Sequence, residues 1–232
     1  MRLWRDFPCR ALILRSESPH GINNRRNLMN CSIYRQHQDF FNQKAESWSI
    51  SEQQEAFIAG LEEIIGFNGT ETILDIGCGT GHLLKYLQTF APRGLVIGID
   101  FAEQMLARCK TQVNGHLHAI QALAEELSIR SASVDIVINY CLYPHLKYKK
   151  KALREFNRIL KPAGRYYIIH PEGRYAVNAL HNRIGVPVCF DVIEPLESVI
   201  ALLKISGFQV LKSLDKPGLF FIEAVKFPGN KL

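Results

Sequence analysis

Short apolar runs alternate along the chain with longer segments in which apolar residues recur every three or four positions. The first pattern predicts buried strands and the second predicts amphipathic helices. The predicted strands are residues 73–76, 95–100, 116–121, 134–139, 165–170, 208–214 and 219–225. Helical patterns separate most of these runs. Repeated alternation of strands and helices predicts an α/β fold with a doubly wound, seven-stranded sheet.

The first strand leads directly into a glycine-rich turn. Gly77, Gly79 and Gly81 stand at every second position, and a helical pattern follows them. Glycine accepts a positive φ and lets a ligand come close to the main chain. A strand, turn and helix in this order present backbone N–H groups to a ligand. The G-x-G-x-G spacing differs from the G-x-G-x-x-G dinucleotide fingerprint. Taken alone, the turn could also be an ordinary tight connection.

The second strand ends in an acid, Asp100, nineteen residues after Gly81. An acid about 20 residues beyond the glycine turn is well placed to accept hydrogen bonds from ribose hydroxyls. The turn and the acid, at the ends of two successive strands, therefore predict a cofactor that contains a nucleoside.

Three segments resemble the class I S-adenosylmethionine-dependent methyltransferases, and most closely the small-molecule branch that includes the ubiquinone and menaquinone methyltransferases. They are residues 73–83, 99–106 and 155–165, the last ending in Lys-Pro-Ala-Gly-Arg. The resemblance implies a Rossmann-like methyltransferase fold, mostly parallel with an antiparallel terminal hairpin. It also implies S-adenosyl-L-methionine as the cofactor and methyl transfer to an acceptor as the activity.

The resemblance further implies which residues bind the cofactor. Its methionine and ribose portions would lie along Asp75 and the glycine turn, although Asp75 could instead cap the turn. Asp100 would accept the ribose hydroxyls. In the family an acid usually reaches the adenine amino group, but Leu123 stands at that place, so apolar walls and the Ala124 N–H would hold the adenine. The predicted cofactor-binding residues are Asp75, Gly77, Cys78, Gly79, Gly81, Asp100, Phe101, Met105, Leu123, Ala124 and Asn139.

Methyl transfer from a sulfonium uses an activated donor, so the protein must mainly align the nucleophile with the methyl group and exclude water. A base is needed only where the acceptor loses a proton. His145 and His170 follow the fourth and fifth strands and are the predicted base or substrate-orienting residues, with a structural role as the alternative. The predicted substrate contacts are Tyr140, Tyr143, Glu172 and Arg174. No metal site is predicted, because His145, His170 and His181 lack the spacing of a helical ligand pair.

Charge and one further motif favour a small-molecule acceptor. The net charge is +6, but six arginines and two acids in residues 1–28 supply +4 of it. The remainder is not the clustered basic surface that nucleic-acid binding requires. Amino-directed family members carry Asn or Asp, Pro-Pro and an aromatic residue where residues 139–142 here read Asn-Tyr-Cys-Leu. Nucleic acid is therefore not an expected partner, and the oligomeric state is left open.

Two other functions stay open at this point. One is a nucleic-acid or protein methyltransferase, which would need a basic groove and salt-sensitive binding. The other is a methyltransferase-like cofactor-binding protein without catalysis. Leu123 and the absence of an evident base favour this second alternative, whereas the intact glycine turn counts against it.

The chain divides into three predicted parts. Residues 1–28 are arginine-rich and aperiodic, and we expect a disordered extension or translated sequence before a start at Met29, with a transit peptide as the alternative. By the resemblance, residues 29–66 form a helical lid segment, although plain core packing is equally compatible. Residues 67–232 form the cofactor-binding domain. Scattered cysteines and the lack of an apolar run of about 18 residues predict a cytoplasmic protein without a membrane span, or an organellar one if the transit peptide is genuine.

Overall fold

The computed structural model describes residues 32–109 and 117–227. The predictions for residues 1–28 and for Met29 as a start lie outside these ranges. The described strands are β1 (Thr72–Ile76), β2 (Leu95–Asp100), β3 (Leu117–Gln121), β4 (Val134–Tyr140), β5 (Leu160–His170), β6 (Phe208–Lys216) and β7 (Leu219–Lys226). The described α-helices are α1 (Ser32–Lys44), α2 (Glu52–Ala59), α3 (Leu61–Ile65), α4 (His82–Phe90), α5 (Glu103–Cys109), α6 (Lys149–Ile159), α7 (Arg174–Ile184) and α8 (Leu196–Ile205).

The seven strands form one sheet in the order β3-β2-β1-β4-β5-β7-β6. Strands β1 to β5 are parallel, and β7 runs antiparallel to both β5 and β6. The predicted mostly parallel sheet with an antiparallel terminal hairpin is therefore confirmed. The strand order reverses at β1, which lies between β2 and β4. Open α/β sheets bind ligands beyond the carboxyl ends of the strands at such a switch point.

Alternate residues of the central strands pack on opposite faces of the sheet, as the pleat of a strand requires. Leu74 and Ile76 of β1 join a buried cluster that includes Phe156 of α6 and Leu203 of α8. Ile73 joins a second cluster with α2, α3 and α4. Helices therefore cover both faces, and the sheet edge formed by the carboxyl ends of the strands is left for a ligand.

Local signals in the sequence set several element ends. A capping box begins α2, because the Ser51 side chain accepts from Gln54 N and the Gln54 side chain accepts from Ser51 N. Strand β5 begins at Leu160 rather than at residue 165. The Lys-Pro-Ala-Gly-Arg segment at residues 161–165 therefore lies within β5, at a register shift where Val134 pairs with Leu160 and Ile136 pairs with Arg165.

Helix α7 begins at residue 174, and residues 171–173 connect it to β5. Gly173 has a φ of 79°, and a Cβ there would come within 2.6 Å of the Lys216 carbonyl oxygen. This turn keeps the chain non-helical for three residues after β5. Among the described helices, none is both long and apolar enough to cross a membrane.

Candidate functional site

A cavity of about 740 Å³ lies beyond the carboxyl ends of β1, β2, β4 and β5. This volume is within the usual range of ligand pockets in proteins, about 300–1,000 Å³. Thirteen residues predicted from the sequence line it: Asp75, Gly77, Cys78, Gly79, Asp100, Phe101, Met105, Leu123, Ala124, Tyr140, His145, His170 and Glu172. Gly81, Asn139, Tyr143 and Arg174 are not among the lining residues.

The glycine turn is held against β2 by its backbone. The N–H groups of Gly77 and Cys78 both donate to the Ile99 carbonyl oxygen, at 2.7 and 3.0 Å. Gly77, Gly79 and Gly81 have φ values of 79°, 52° and 90°, a region that favours glycine. A Cβ at Gly79 would meet no protein atom within 4 Å. Because Gly79 lines the cavity, its backbone faces open space in which a ligand can lie.

Asp100 connects the end of β2 to this turn. One carboxylate oxygen accepts from Gly79 N at 2.9 Å and the other accepts from Ala102 N at 2.8 Å. Burial raises the pKa of Asp100 to about 6, although these backbone donors act in the opposite direction. Each carboxylate oxygen has two lone pairs. The side chain can therefore still accept two hydrogen bonds from a ligand.

Asp75 precedes Ile76, the last residue of β1, and is 1% exposed. Its Oδ1 atom has no hydrogen-bond partner among the described residues. Burial raises the pKa of Asp75 well above its usual value, and the neighbouring Cys109 and Asp100 raise it further. An unsatisfied buried acceptor costs about 1–3 kcal/mol. Oδ1 is therefore suited to accept a hydrogen bond from a ligand.

The far end of the cavity is apolar at the position where the resembling family keeps an acid. Leu123 is buried there, beside Ala124. Glu125 also lines the cavity, but its carboxylate accepts from the backbone N–H groups of Lys147 and Tyr148 at 3.2 Å each. Among the described residues, Leu123 therefore occupies the position where the family keeps an acid, and Glu125 does not take its place.

The side chains of three predicted contacts are engaged elsewhere. Asn139 is fully buried, where it accepts from the Tyr166 hydroxyl and donates to the Ile76 carbonyl oxygen at 3.4 Å. Tyr143 is fully buried within the larger hydrophobic cluster. Arg174 pairs with Asp215 at 2.6 Å. These interactions direct the three side chains away from the cavity. In this structure the three residues therefore stabilise the fold and do not line the ligand site.

A buried polar cluster at one wall of the cavity was not predicted from the sequence, apart from His145. Its other members are His37 of α1, Lys147, His181 of α7 and Asp191. His145 Nδ1 lies 2.7 Å from Asp191 Oδ2, and Lys147 Nζ lies 2.5 Å from Asp191 Oδ1. These residues are separated by up to 154 positions in the chain, so no local motif could have indicated the cluster.

Burial keeps both predicted catalytic histidines neutral. It lowers the pKa of His145 to about 4, although the hydrogen bond with Asp191 acts in the opposite direction. It also lowers the pKa of His170 to about 3. The buried Nε2 atom of His170 has no partner among the described residues. Within the described ranges, no group of three or more His, Cys, Asp or Glu side chains could hold a metal ion.

Helix α1 and the segment after it cover the cavity. Phe41 packs edge-on against the His145 ring at a centroid distance of 5.1 Å, and also against Phe101. The Gln38 side chain donates to the Phe101 carbonyl oxygen at 2.7 Å. Tyr34 and His37 complete this wall. Residues of the predicted lid segment therefore line the cavity directly.

Comparison with known proteins shows what the segment carrying this site is similar to. Residues 74–168 match the family described as a methyltransferase domain. The ubiquinone/menaquinone biosynthesis C-methyltransferase UbiE of Vibrio campbellii is 38% identical over 106 residues, covering 43% of this chain and 40% of that protein. The demethylmenaquinone methyltransferase of Lactococcus lactis is 38% identical over 109 residues, covering 43% of each chain. The chain thus spans about two fifths of the length of the curated relatives it matches.

Solved structures share the fold. A SAM-dependent methyltransferase from Aquifex aeolicus has a TM-score of 0.66 at 21% identity, covering 80% of this chain and 98% of that one. The [4+2]-cyclase SpnF has a TM-score of 0.61 at 15% identity, covering 78% and 84%. The predicted Rossmann-like methyltransferase fold is confirmed. Since a cyclase shares it, the activity must be argued from the site.

Proposed function

We propose that this chain, which carries a domain of the class I S-adenosylmethionine-dependent methyltransferases, transfers a methyl group from that cofactor to a small-molecule acceptor. The observation that carries the proposal is the hydrogen bond between Gly79 N and Asp100. It joins the glycine turn and the acid of the second strand at the mouth of one cavity. The turn and the acid together predict a nucleoside-bearing cofactor.

The residues present fit this cofactor. Asp75 Oδ1, which has no partner among the described residues, can accept from the ammonium group of the methionine portion. The open space over Gly79 admits the ligand close to the backbone, and Asp100 retains lone pairs for two ribose hydroxyls. Leu123 and the Ala124 N–H would contact the adenine. When bound, S-adenosylmethionine supplies a methyl group activated by a sulfonium.

The protein's own contribution is to position the acceptor and exclude water. Helix α1 covers the cavity, and holding the nucleophile in line with the methyl group can supply a large part of the rate enhancement. We propose His145 and His170 as the groups that orient the acceptor or take its proton, because both line the cavity and both are neutral at pH 7. Tyr140 and Glu172 line the same side.

A small aromatic or quinone-like molecule is the proposed acceptor. Phe41, Phe101 and Tyr140 give the covered cavity aromatic walls. The relatives named as ubiquinone and menaquinone methyltransferases support the same class of acceptor. A nucleic-acid or protein substrate would need an open basic groove at this edge of the sheet. The acceptor's identity and a cytoplasmic location stay predictions.

Isothermal titration calorimetry with S-adenosylmethionine and with S-adenosylhomocysteine tests the cofactor assignment. We expect saturable binding of both to the purified chain. NADH serves as the control nucleotide and should not compete. If neither methionine-derived ligand binds at sub-millimolar concentration, the proposal is wrong.

Cofactor binding should weaken as the pH falls through about 6. The ribose hydroxyls donate to the charged form of Asp100, whose pKa in the free protein is about 6. Below that value, affinity should fall by up to about tenfold per pH unit, and Asp75 should contribute in the same direction. Calorimetry between pH 5 and 8 measures this change. The Asp100→Asn variant should show a weaker pH dependence.

Circular dichroism at each pH separates this loss from acid unfolding, because burial lowers the pKa of His145 to about 4 and of His170 to about 3, and both histidines therefore destabilise the folded state as the pH falls below about 6.5. Because the pKa of Asp100 is raised on folding, the folded protein binds a proton here more readily than the unfolded chain does between about pH 4 and 6. This group therefore makes the folded state more stable as the pH falls through that window. An affinity that stays constant from pH 8 to pH 5 would contradict the assigned role of Asp100.

A further inference from the structure

Asp191 contacts two histidines of the cavity wall through different atoms. Its carboxylate oxygen Oδ2 lies 2.7 Å from His145 Nδ1. Its backbone carbonyl oxygen lies 2.5 Å from His181 Nδ1. The two imidazole rings are neighbours, with their centroids 4.7 Å apart. One residue of the segment after α7 therefore fixes the orientation of both rings.

The donors and acceptors of this cluster assign its protons. A carbonyl oxygen only accepts, so His181 must carry its proton on Nδ1. The ionised carboxylate of Asp191 likewise only accepts, so the neutral His145 carries its proton on Nδ1 as well. Burial acts to raise the pKa of Asp191, but the hydrogen bonds with His145 and His37 and the ammonium of Lys147 outweigh it and hold that pKa well below its usual value.

The third histidine also contacts Asp191. His37 Nδ1 lies 2.9 Å from the Ile33 carbonyl oxygen and therefore donates to it. His37 Nε2 lies 3.0 Å from Asp191 Oδ2 and 2.5 Å from Lys147 Nζ, so it contacts both an acceptor and a donor, and the assignment of the other two rings does not depend on its proton. The ammonium of Lys147 thus lies between His37 and Asp191. This arrangement compensates the buried carboxylate and leaves Asp191 free to orient the other two rings.

The remaining nitrogens of those two rings face the cavity. Both His145 and His181 line it, and no described residue hydrogen-bonds to the Nε2 atom of either ring. With their protons held on Nδ1, both Nε2 atoms are acceptors only. A ligand group beside them must therefore donate. A carbonyl oxygen at this place would face two lone pairs and be repelled.

We infer that Asp191 is a positioning residue that fixes His145 and His181 as hydrogen-bond acceptors, and that the methyl acceptor presents a phenolic or enolic hydroxyl group to them. This inference rests on the proposed function. It adds a chemical class for the acceptor, one that carries an acidic O–H, and it assigns Asp191 a role that the methyltransferase resemblance does not give it.

These groups account for every bond, electron pair and proton in the transfer step. The acceptor's nucleophilic atom forms a bond to the methyl carbon while the carbon–sulfur bond breaks and its electron pair stays on sulfur. The hydroxyl proton moves to His145 Nε2. Because the pKa of His145 is about 4, the proton moves only as the new bond forms and the hydroxyl becomes strongly acidic. The positive charge lost at sulfur is recovered on the imidazolium, beside Asp191.

Nitrogen-15 NMR of the histidine-labelled full-length protein tests the tautomers without any substrate. At pH 7 we expect His145 and His181 to show a protonated Nδ1 and a bare Nε2, with assignments made from His145→Gln and His181→Gln. In Asp191→Asn, His145 should lose this single tautomer while His181, held by the backbone, keeps it. A merely structural role for Asp191 would leave the His145 tautomer unchanged. Finding His145 with its proton on Nε2 in the unsubstituted protein overturns the inference.

Paired ligands test the acceptor chemistry. Phenol and anisole have similar shapes, but only phenol donates a hydrogen bond. In the protein saturated with S-adenosylhomocysteine, we expect phenol to bind about two- to tenfold more tightly than anisole by ligand-observed NMR titration. Asp191→Asn and His145→Gln should each abolish this preference, whereas Asp215→Asn, which alters an ion pair outside the cavity, should retain it.

The outcomes separate this inference from the proposed function. Equal binding of phenol and anisole to the unsubstituted protein overturns the inference, while the affinity for S-adenosylhomocysteine is unaffected by that result. Conversely, a failure to bind S-adenosylhomocysteine would contradict the proposed function, and the tautomer measurement would still decide the role of Asp191. Should Asp191→Asn unfold because Lys147 loses its partner, His145→Gln keeps the Lys147–Asp191 pair and gives the same comparison.

Discussion

Replacement of Asp100 by alanine is expected to weaken the binding of S-adenosylmethionine by about 100-fold. The carboxylate is proposed to accept two ribose hydroxyls, and hydrogen bonds to a charged group contribute about 1.5–3 kcal/mol each. Two bonds at the lower limit give about 3 kcal/mol, which corresponds to about two orders of magnitude in affinity. The substitution also releases Gly79 N, so the turn loses one of its anchors. Calorimetry with S-adenosylmethionine measures the loss.

Asp135→Ala is the matched control for this substitution. Asp135 also accepts a backbone N–H, from Thr72 at 2.9 Å, and pairs with Lys161, but it does not line the cavity. We expect Asp135→Ala to lower the thermal stability while the affinity for the cofactor stays within about twofold of the original. An undiminished affinity in Asp100→Ala would show that the ribose portion is not bound here.

The fold and the cofactor half of the site could be predicted because their signals are local. Hydrophobic periodicity located all seven strands, and the glycine turn and Asp100 each stand directly at the end of a strand. Parallel strands bring such ends to one edge of the sheet. The order of the strands then placed Asp75, the turn and Asp100 around one cavity.

Side-chain direction decides which of the predicted site residues line the cavity. A residue at the end of a strand reaches the correct edge of the sheet, but the pleat decides which face its side chain enters. Tyr140 lines the cavity, whereas its neighbour Asn139 enters the core and bonds to Tyr166. From the sequence, both residues are predicted to contact a ligand, because both stand at the end of β4. Only the packing of β5 beside β4 distinguishes them.

The acceptor half of the site could not be predicted because it is assembled from distant segments. Lys147 follows β4, His181 lies on α7, and Asp191 follows a short 3-10 helix at residues 188–190. Each is an ordinary polar residue in its own segment. The cluster exists because α1 and the loop after α7 pack over the same end of the sheet, which brings His37 within 3.0 Å of Asp191.

Adding a single methyl group at Gly79 should weaken cofactor binding without preventing folding. A Cβ there meets no protein atom within 4 Å and points into the cavity, so Gly79→Ala should fold. Crowding the ligand against the turn should nevertheless weaken S-adenosylmethionine binding by about 10- to 100-fold, by analogy with the cost of overpacking a well-packed site. The affinity is measured by calorimetry, and folding is measured by circular dichroism.

Gly66→Ala provides a control with the same backbone strain. Gly66 has a φ of 66°, compared with 52° at Gly79, and its Cβ would also meet nothing within 4 Å. It ends α3 and does not line the cavity. Both variants should lose about 1–2 kcal/mol of stability from a left-handed alanine. The melting temperatures should therefore fall together while only Gly79→Ala loses affinity. If both variants bind the cofactor equally well, the ligand does not approach the turn at Gly79.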